Sequence, residues 1–149
     1  MPDLSVEPVG VEGLALVYPL IRSAAHVPLD RWLKFGRDLL NNGGGVLAVT
    51  APDDCVHGVA AYRPRFGLRH EQALDVEVIA AFDLRCDDRV RTALCDALDR
   101  IAAELGCTAV NFTVAGRNAE PRSVGRSGLE RLGLKLDTAG FVRELPEVE

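Results

Sequence analysis

The chain has 149 residues, of which 48% are hydrophobic and 26% charged, and a net charge of −5. These figures suit one folded domain, 1–149, with its own core, and the acidic balance excludes a general nucleic-acid binder. No apolar run is long enough to span a membrane as a helix, and the opening Met1-Pro2-Asp3 lacks a basic segment followed by an apolar one, so a cytoplasmic protein is expected.

Leu4 to Val9 alternates weakly and predicts a first strand. Val11 to Ala25 has Leu14, Val17, Tyr18 and Ile21 at helical spacing. Pro28 breaks that helix near His26, because it disfavours helical geometry in the residue before it. A second helix follows from Leu29-Asp30, with Trp32, Leu33, Phe35, Leu39 and Leu40 as its apolar stripe. Asn41-Asn42-Gly43-Gly44-Gly45 ends it, since Asn and Gly readily take the left-handed conformation that closes helices.

Val46–Thr50 and Cys55–Arg63 are strand-like, and Ala51-Pro52-Asp53-Asp54 supplies the turn of a hairpin. Arg63 to His70 is the most basic stretch and reads as a loop. A long extended run, Ala73 to Leu84, then passes through Arg85-Cys86-Asp87-Asp88 into a helix from about Asp88 to Leu105. That helix has Val90, Leu94, Ala97, Leu98, Ile101 and Leu105 on one face, and Gly106 stops it. Thr108–Val114 reads as a strand parallel to the one before the helix, which makes Leu74–Val114 a β-α-β crossover. Ala115–Arg126 reads as loop, Ser127–Leu132 as a short helix stopped by Gly133, and Leu134–Leu145 as a final strand or pair of strands.

A strand feeding a helix aims the helix's first N–H groups at one point, a natural anion site. Here the turn has no glycine and carries Asp87 and Asp88. An aspartate about 6 Å from a phosphate charge would cost about 2–3 kcal/mol at an effective dielectric of 20, and Arg85, Arg89 and Arg91 would offset that. Two readings of the turn stand. The aspartates cap the helix, or the arginines reach an anion with their side chains.

Asp75 and Glu77 alternate with Leu74, Val76 and Val78, so both carboxylates are expected on one strand face. They line a solvated face or pair with arginines from the Arg63–Arg69 segment. That basic segment is a solvated connection, or it meets an acidic acceptor or a cofactor phosphate. Cys86, at a helix start, is a reactive thiol or a half-buried one. The other cysteines, Cys55, Cys95 and Cys107, are spaced singly with no CxxC pair, so reduced thiols and no metal site are expected.

The order of elements resembles the GNAT superfamily of N-acetyltransferases over nearly the whole chain. Cys55-Val56-His57-Gly58-Val59-Ala60-Ala61-Tyr62 looks like its third strand. Thr92 to Leu98 with Ala102 to Cys107 looks like its main helix and exit. Val110–Val114 followed by Asn118, and Leu129-Glu130-Arg131-Leu132-Gly133-Leu134, resemble its later elements. The resemblance implies an α/β (α+β) fold, with a mixed, mostly antiparallel sheet of six to seven strands and about four flanking helices.

It also implies acetyl-CoA as co-substrate, held between the fourth and fifth strands, and N-acyl transfer to a small-molecule or protein amine. Glu77, with Asp75 beside it, would be the base acting through water. Phe82, Leu84, Arg85, Cys86, Arg89, Val90, Arg91 and Asn118 would contact the cofactor. Trp32 and Phe35 fit the core stripe of their helix, or wall the acceptor pocket. The family's Arg/Gln-x-x-Gly-x-Gly/Ala signature aligns from Cys86 and places Arg89 and Arg91 at its small positions. The tyrosine that serves as general acid aligns with Leu129. A catalytically inactive ligand-sensing or protein-interaction module is the alternative. Homodimers are common among the proteins it resembles. No membrane partner is expected.

Overall fold

The computed structural model describes residues 3–82 and 88–147. These divide into two compact units, Met1–Val114 and Ala115–Glu149.

In the first unit, β1 (Ser5–Pro8) leads to a 3-10 turn over Val11–Val17, then to helices α1 (Tyr18–Ala25) and α2 (Leu29–Asn41). His26 closes α1 in the left-handed conformation at φ 56°. Strands β2 (Gly45–Thr50), β3 (Val56–Phe66) and β4 (Gln72–Ala81) follow. Helix α3 (Arg89–Glu104) and β5 (Ala109–Phe112) complete the unit. The strands form one sheet in chain order. Each neighbouring pair is antiparallel except β4 and β5, which run parallel as the crossover reading requires.

Two apolar clusters sandwich the sheet. Leu47, Val49, Ala60, Leu74 and Val76 meet Val90, Leu94, Ala97, Leu98 and Ala102 of α3. On the opposite face Val46, Ala48, Val59 and Ala61 meet Leu14, Val17, Ile21, Trp32 and Leu39. Adjacent strand residues thus enter opposite clusters, as a strand covered on both faces demands. Two contacts set how closely the layers approach. A β-carbon at Gly36 would stand 2.8 Å from Leu14 Cδ1, and one at Gly58 would stand 2.5 Å from Val90 Cγ1. Glycine therefore lets α2 meet the 3-10 turn, and lets α3 settle on β3.

In the second unit a 3-10 turn (Gly116–Ala119) precedes α4 (Val124–Arg131). This helix begins earlier than the sequence suggests, because the Ser123 hydroxyl accepts from the Arg126 N–H at 3.0 Å and caps it.

Three expectations are corrected. Among the described residues the sheet has five strands, not six to seven. Residues 134–147 form no strand, and Leu136, Phe141, Val142 and Leu145 are exposed. A strand-like pattern does not create the partner that a strand needs. Finally, Arg63–Phe66 is strand, not loop, and extends β3 against β4. Pro64 is tolerated there because β2 has already ended at Gly45, opposite Tyr62.

Candidate functional site

The pairing of β4 with its neighbours singles out one place. Across β3, Ala61 pairs with Val78 and Tyr62 with Val76, so Glu77 is an extra residue with no partner. This is a β-bulge, which bends its strand and re-aims side chains. Before it, Leu74 and Val76 face α3; after it, Val78 and Ala80 pack with the α1–α2 cluster. The bulge thus turns Val78 to the same face as Glu77, where plain alternation would separate them.

The same region is where β4 and β5 part. Their pairing runs from Ala73 opposite Ala109 to Val76 opposite Phe112, with a last bond from Thr113 N–H to Val76 C=O at 3.1 Å. Beyond it β4 continues to Ala81 and, among the described residues, pairs with β3 only. The Phe82 N–H donates to His57 C=O at 2.7 Å. Alternation back from Phe82 sends the backbone groups of Ile79 and Ala81 to the opposite edge, where β5 has ended. A short row of N–H and C=O groups is therefore presented beside Glu77.

Asp75 and Glu77 share the face opposite α3, as expected, and both meet arginines of β3. Arg63 Nη2 lies 3.5 Å from Glu77 Oε1, and Arg65 Nη1 lies 3.4 Å from Asp75 Oδ2. Each pair is a diagonal across the ladder, since Arg63 stands directly opposite Asp75. Asn111 of β5 donates to Asp75 Oδ1 at 3.2 Å. The two carboxylates consequently differ. Asp75 is 22% exposed and has both oxygens engaged, whereas Glu77 is 40% exposed and engages one oxygen.

The remaining candidates separate. The Phe82 ring is exposed at the end of β4. Asp88 caps α3 in the left-handed conformation, at φ 59°, with no side-chain cap bond. Its carboxylate lies 3.5 Å from Arg91 Nη1. Arg89 opens the helix and is half-buried. Val90 is buried and packs under Gly58, so its side chain belongs to the core. Leu84, Arg85 and Cys86 lie outside the described residues. Asn118 lies in the second unit, where its side chain packs against Gly125.

Trp32 is 2% exposed and donates from Nε1 to Leu14 C=O at 2.8 Å, so burial favours the core reading. Phe35 is half-buried beside it, with ring centroids 6.1 Å apart. Leu129 is a half-buried residue of α4. Tyr62 packs over Gly45, and burial, with Glu104 adding to it, raises its phenol pKa. His57 pairs with Asp53 at 3.4 Å near the hairpin turn. The Asp53 carboxyl is held below the usual range, chiefly by the Cys55 N–H.

The bulge and Asn111 escape a reading of the sequence. After Leu74-Asp75-Val76-Glu77 the chain continues Val78-Ile79-Ala80-Ala81 with no polar residue, so a change of phase leaves no trace. Among the described residues no cluster of side chains could hold a metal ion, and no helix is long and apolar enough to cross a membrane.

No family model matches the chain, and no curated protein matches it. Solved structures do. An aminoglycoside N-acetyltransferase in complex with CoA is 17% identical, with 97% of this chain and 96% of that one covered and a TM-score of 0.80. An aminoglycoside 6'-N-acetyltransferase from Acinetobacter baumannii is 14% identical, covers 97% and 100%, and has a TM-score of 0.79. A ribosomal-protein-alanine N-acetyltransferase from Brucella melitensis is 19% identical, covers 96% and 100%, and has a TM-score of 0.70. The chain has the fold of the GNAT acetyltransferases.

Proposed function

We propose that the chain is an acyl-CoA-dependent N-acyltransferase that uses acetyl-CoA and acts on a small-molecule or protein amine. The observation that carries this reading is the parting of β4 from β5 just past Val76, with the bulged Glu77 beside it. The solved structures of the same fold support it, since one holds CoA and another a CoA-linked bisubstrate analogue.

The site's residues fit such a co-substrate in part. The Ile79 and Ala81 backbone groups, on the edge of β4 past the end of β5, suit an extended, amide-bearing chain. Arg89 and Arg91 at the start of α3 would meet its phosphates, Arg91 from beside Asp88. Bound there, acetyl-CoA supplies an acyl group activated as a thioester. Glu77 would take the proton from the acceptor amine through water as the acyl group passes from sulfur to that nitrogen. A backbone N–H of the same edge would polarise the acyl oxygen; Leu84, an expected cofactor contact, lies outside the described residues. With leucine at position 129, water or Cys86 would return a proton to the departing sulfur.

A second reading is a sensor of this fold without catalysis. It is favoured by the turn before α3, which has no glycine, and by Leu129. Thermal unfolding with acetyl-CoA and with CoA, followed by an assay of acyl transfer, separates these. Ligand at 100 times its dissociation constant stabilises by about 2.7 kcal/mol. No shift at millimolar ligand overturns the enzyme reading, and a shift without transfer to any amine selects the sensor.

A further inference from the structure

We infer that the acceptor is an amine flanked by a carboxylate, as in an α-amino acid, with Arg63 and Arg65 taking the carboxylate and Glu77 taking the amine. This rests on the acyl-transfer reading above. The two arginines and two carboxylates of the β3–β4 surface sum to zero charge. A polycationic acceptor would meet two guanidinium groups there, whereas a zwitterion meets both signs in register.

The existing ion pairs leave room for it. At 3.4 and 3.5 Å both are longer than the roughly 2.7–2.9 Å of a strong charge-assisted bond. Each guanidinium has five N–H donors and directs one to its carboxylate. Arg63 and Arg65 are 49% and 67% exposed, so both guanidinium side chains are within reach of a ligand from solvent. Their planar fork suits a carboxylate better than a point charge would. Asp75, with both oxygens engaged, positions Arg65, and among the described residues nothing engages Glu77 Oε2, which leaves it to an amine by way of a water. In an α-amino acid the amine and carboxylate are one carbon apart, which matches Glu77 and Arg63, already in contact, with Arg65 held by the neighbouring Asp75 on the same surface.

The test is a panel of α-amino acids, each against its own amide, with saturating acetyl-CoA. The acid should exceed the amide in kcat/KM by about tenfold or more. In Arg65→Gln that preference should collapse, and Arg65→Lys should restore part of it. Equal use of acid and amide overturns the inference. If no amine is acylated, the acyl-transfer reading fails, and direct binding decides the rest. Saturation-transfer NMR without CoA should show acids binding, amides not, and acids lost in Arg65→Gln; acids that do not bind, or bind no better than amides, overturn it.

Discussion

Glu77 Oε1 lies 3.5 Å from Arg63 Nη2 at the one β4 residue that has no partner across the β3 ladder between Gly58 and Phe66. A strand residue freed from its ladder is aimed by its local bulge, and here an arginine two steps from the register position steadies it. At this exposure the pair contributes about 0.2–1 kcal/mol, so it orients the carboxylate more than it stabilises the fold. Asp75, two residues back, is tied on both oxygens.

Glu77→Gln should lower acyl transfer about 10²–10⁴-fold while leaving acetyl-CoA binding within twofold of wild type. Steady-state kinetics beside a cofactor titration measures both. Unchanged turnover removes Glu77 from the mechanism. Asp75→Asn should act more weakly on turnover.

Gly58→Ala should destabilise the protein by about 1–3 kcal/mol, because the new methyl group runs into Val90 Cγ1. Val90→Ala in the same chain should recover part of that loss. Urea unfolding of the two single variants and the double variant measures the coupling. Strictly additive losses would show that the two residues do not meet.

Trp32→Phe should cost about 1–3 kcal/mol, since it leaves the buried Leu14 carbonyl without its 2.8 Å donor. As the chain's single tryptophan, Trp32 should also fluoresce as a buried indole until unfolding. A red, quencher-accessible emission from the native protein would contradict its burial.

Cys95 should resist alkylation at neutral pH. Burial first, then Asp99 and Asp96, push its thiol up to about 11, and only the thiolate reacts. A raised pKa makes the thiolate scarce at pH 7 and abundant only as pH climbs towards 11. Peptide mapping after timed alkylation should show exposed Cys55 modified well before Cys95. Equal rates at pH 7.5 would overturn this.

Local patterns in the sequence were enough to place most elements. The stripes of α2 and α3, the turn at Pro52-Asp53-Asp54 and the crossover from β4 to β5 are legible because helical spacing, turn chemistry and strand–helix alternation act within a few residues. The pairing of Asp75 and Glu77 with arginines from the basic segment was one of two readings open in the sequence, and the structure shows the contacts. Nothing local announces the bulge at Glu77, the bond from Asn111 to Asp75, or that residues 134–147 form no strand. Each depends on which distant strand lies alongside, and in what register. The amino-acid order by itself determined the helices α2 and α3, the hairpin turn and which residues are apolar or charged. Tertiary structure alone decided that β4 gains one residue over β3 and outruns β5, because strand pairing is a non-local choice made by the packing of both sheet faces.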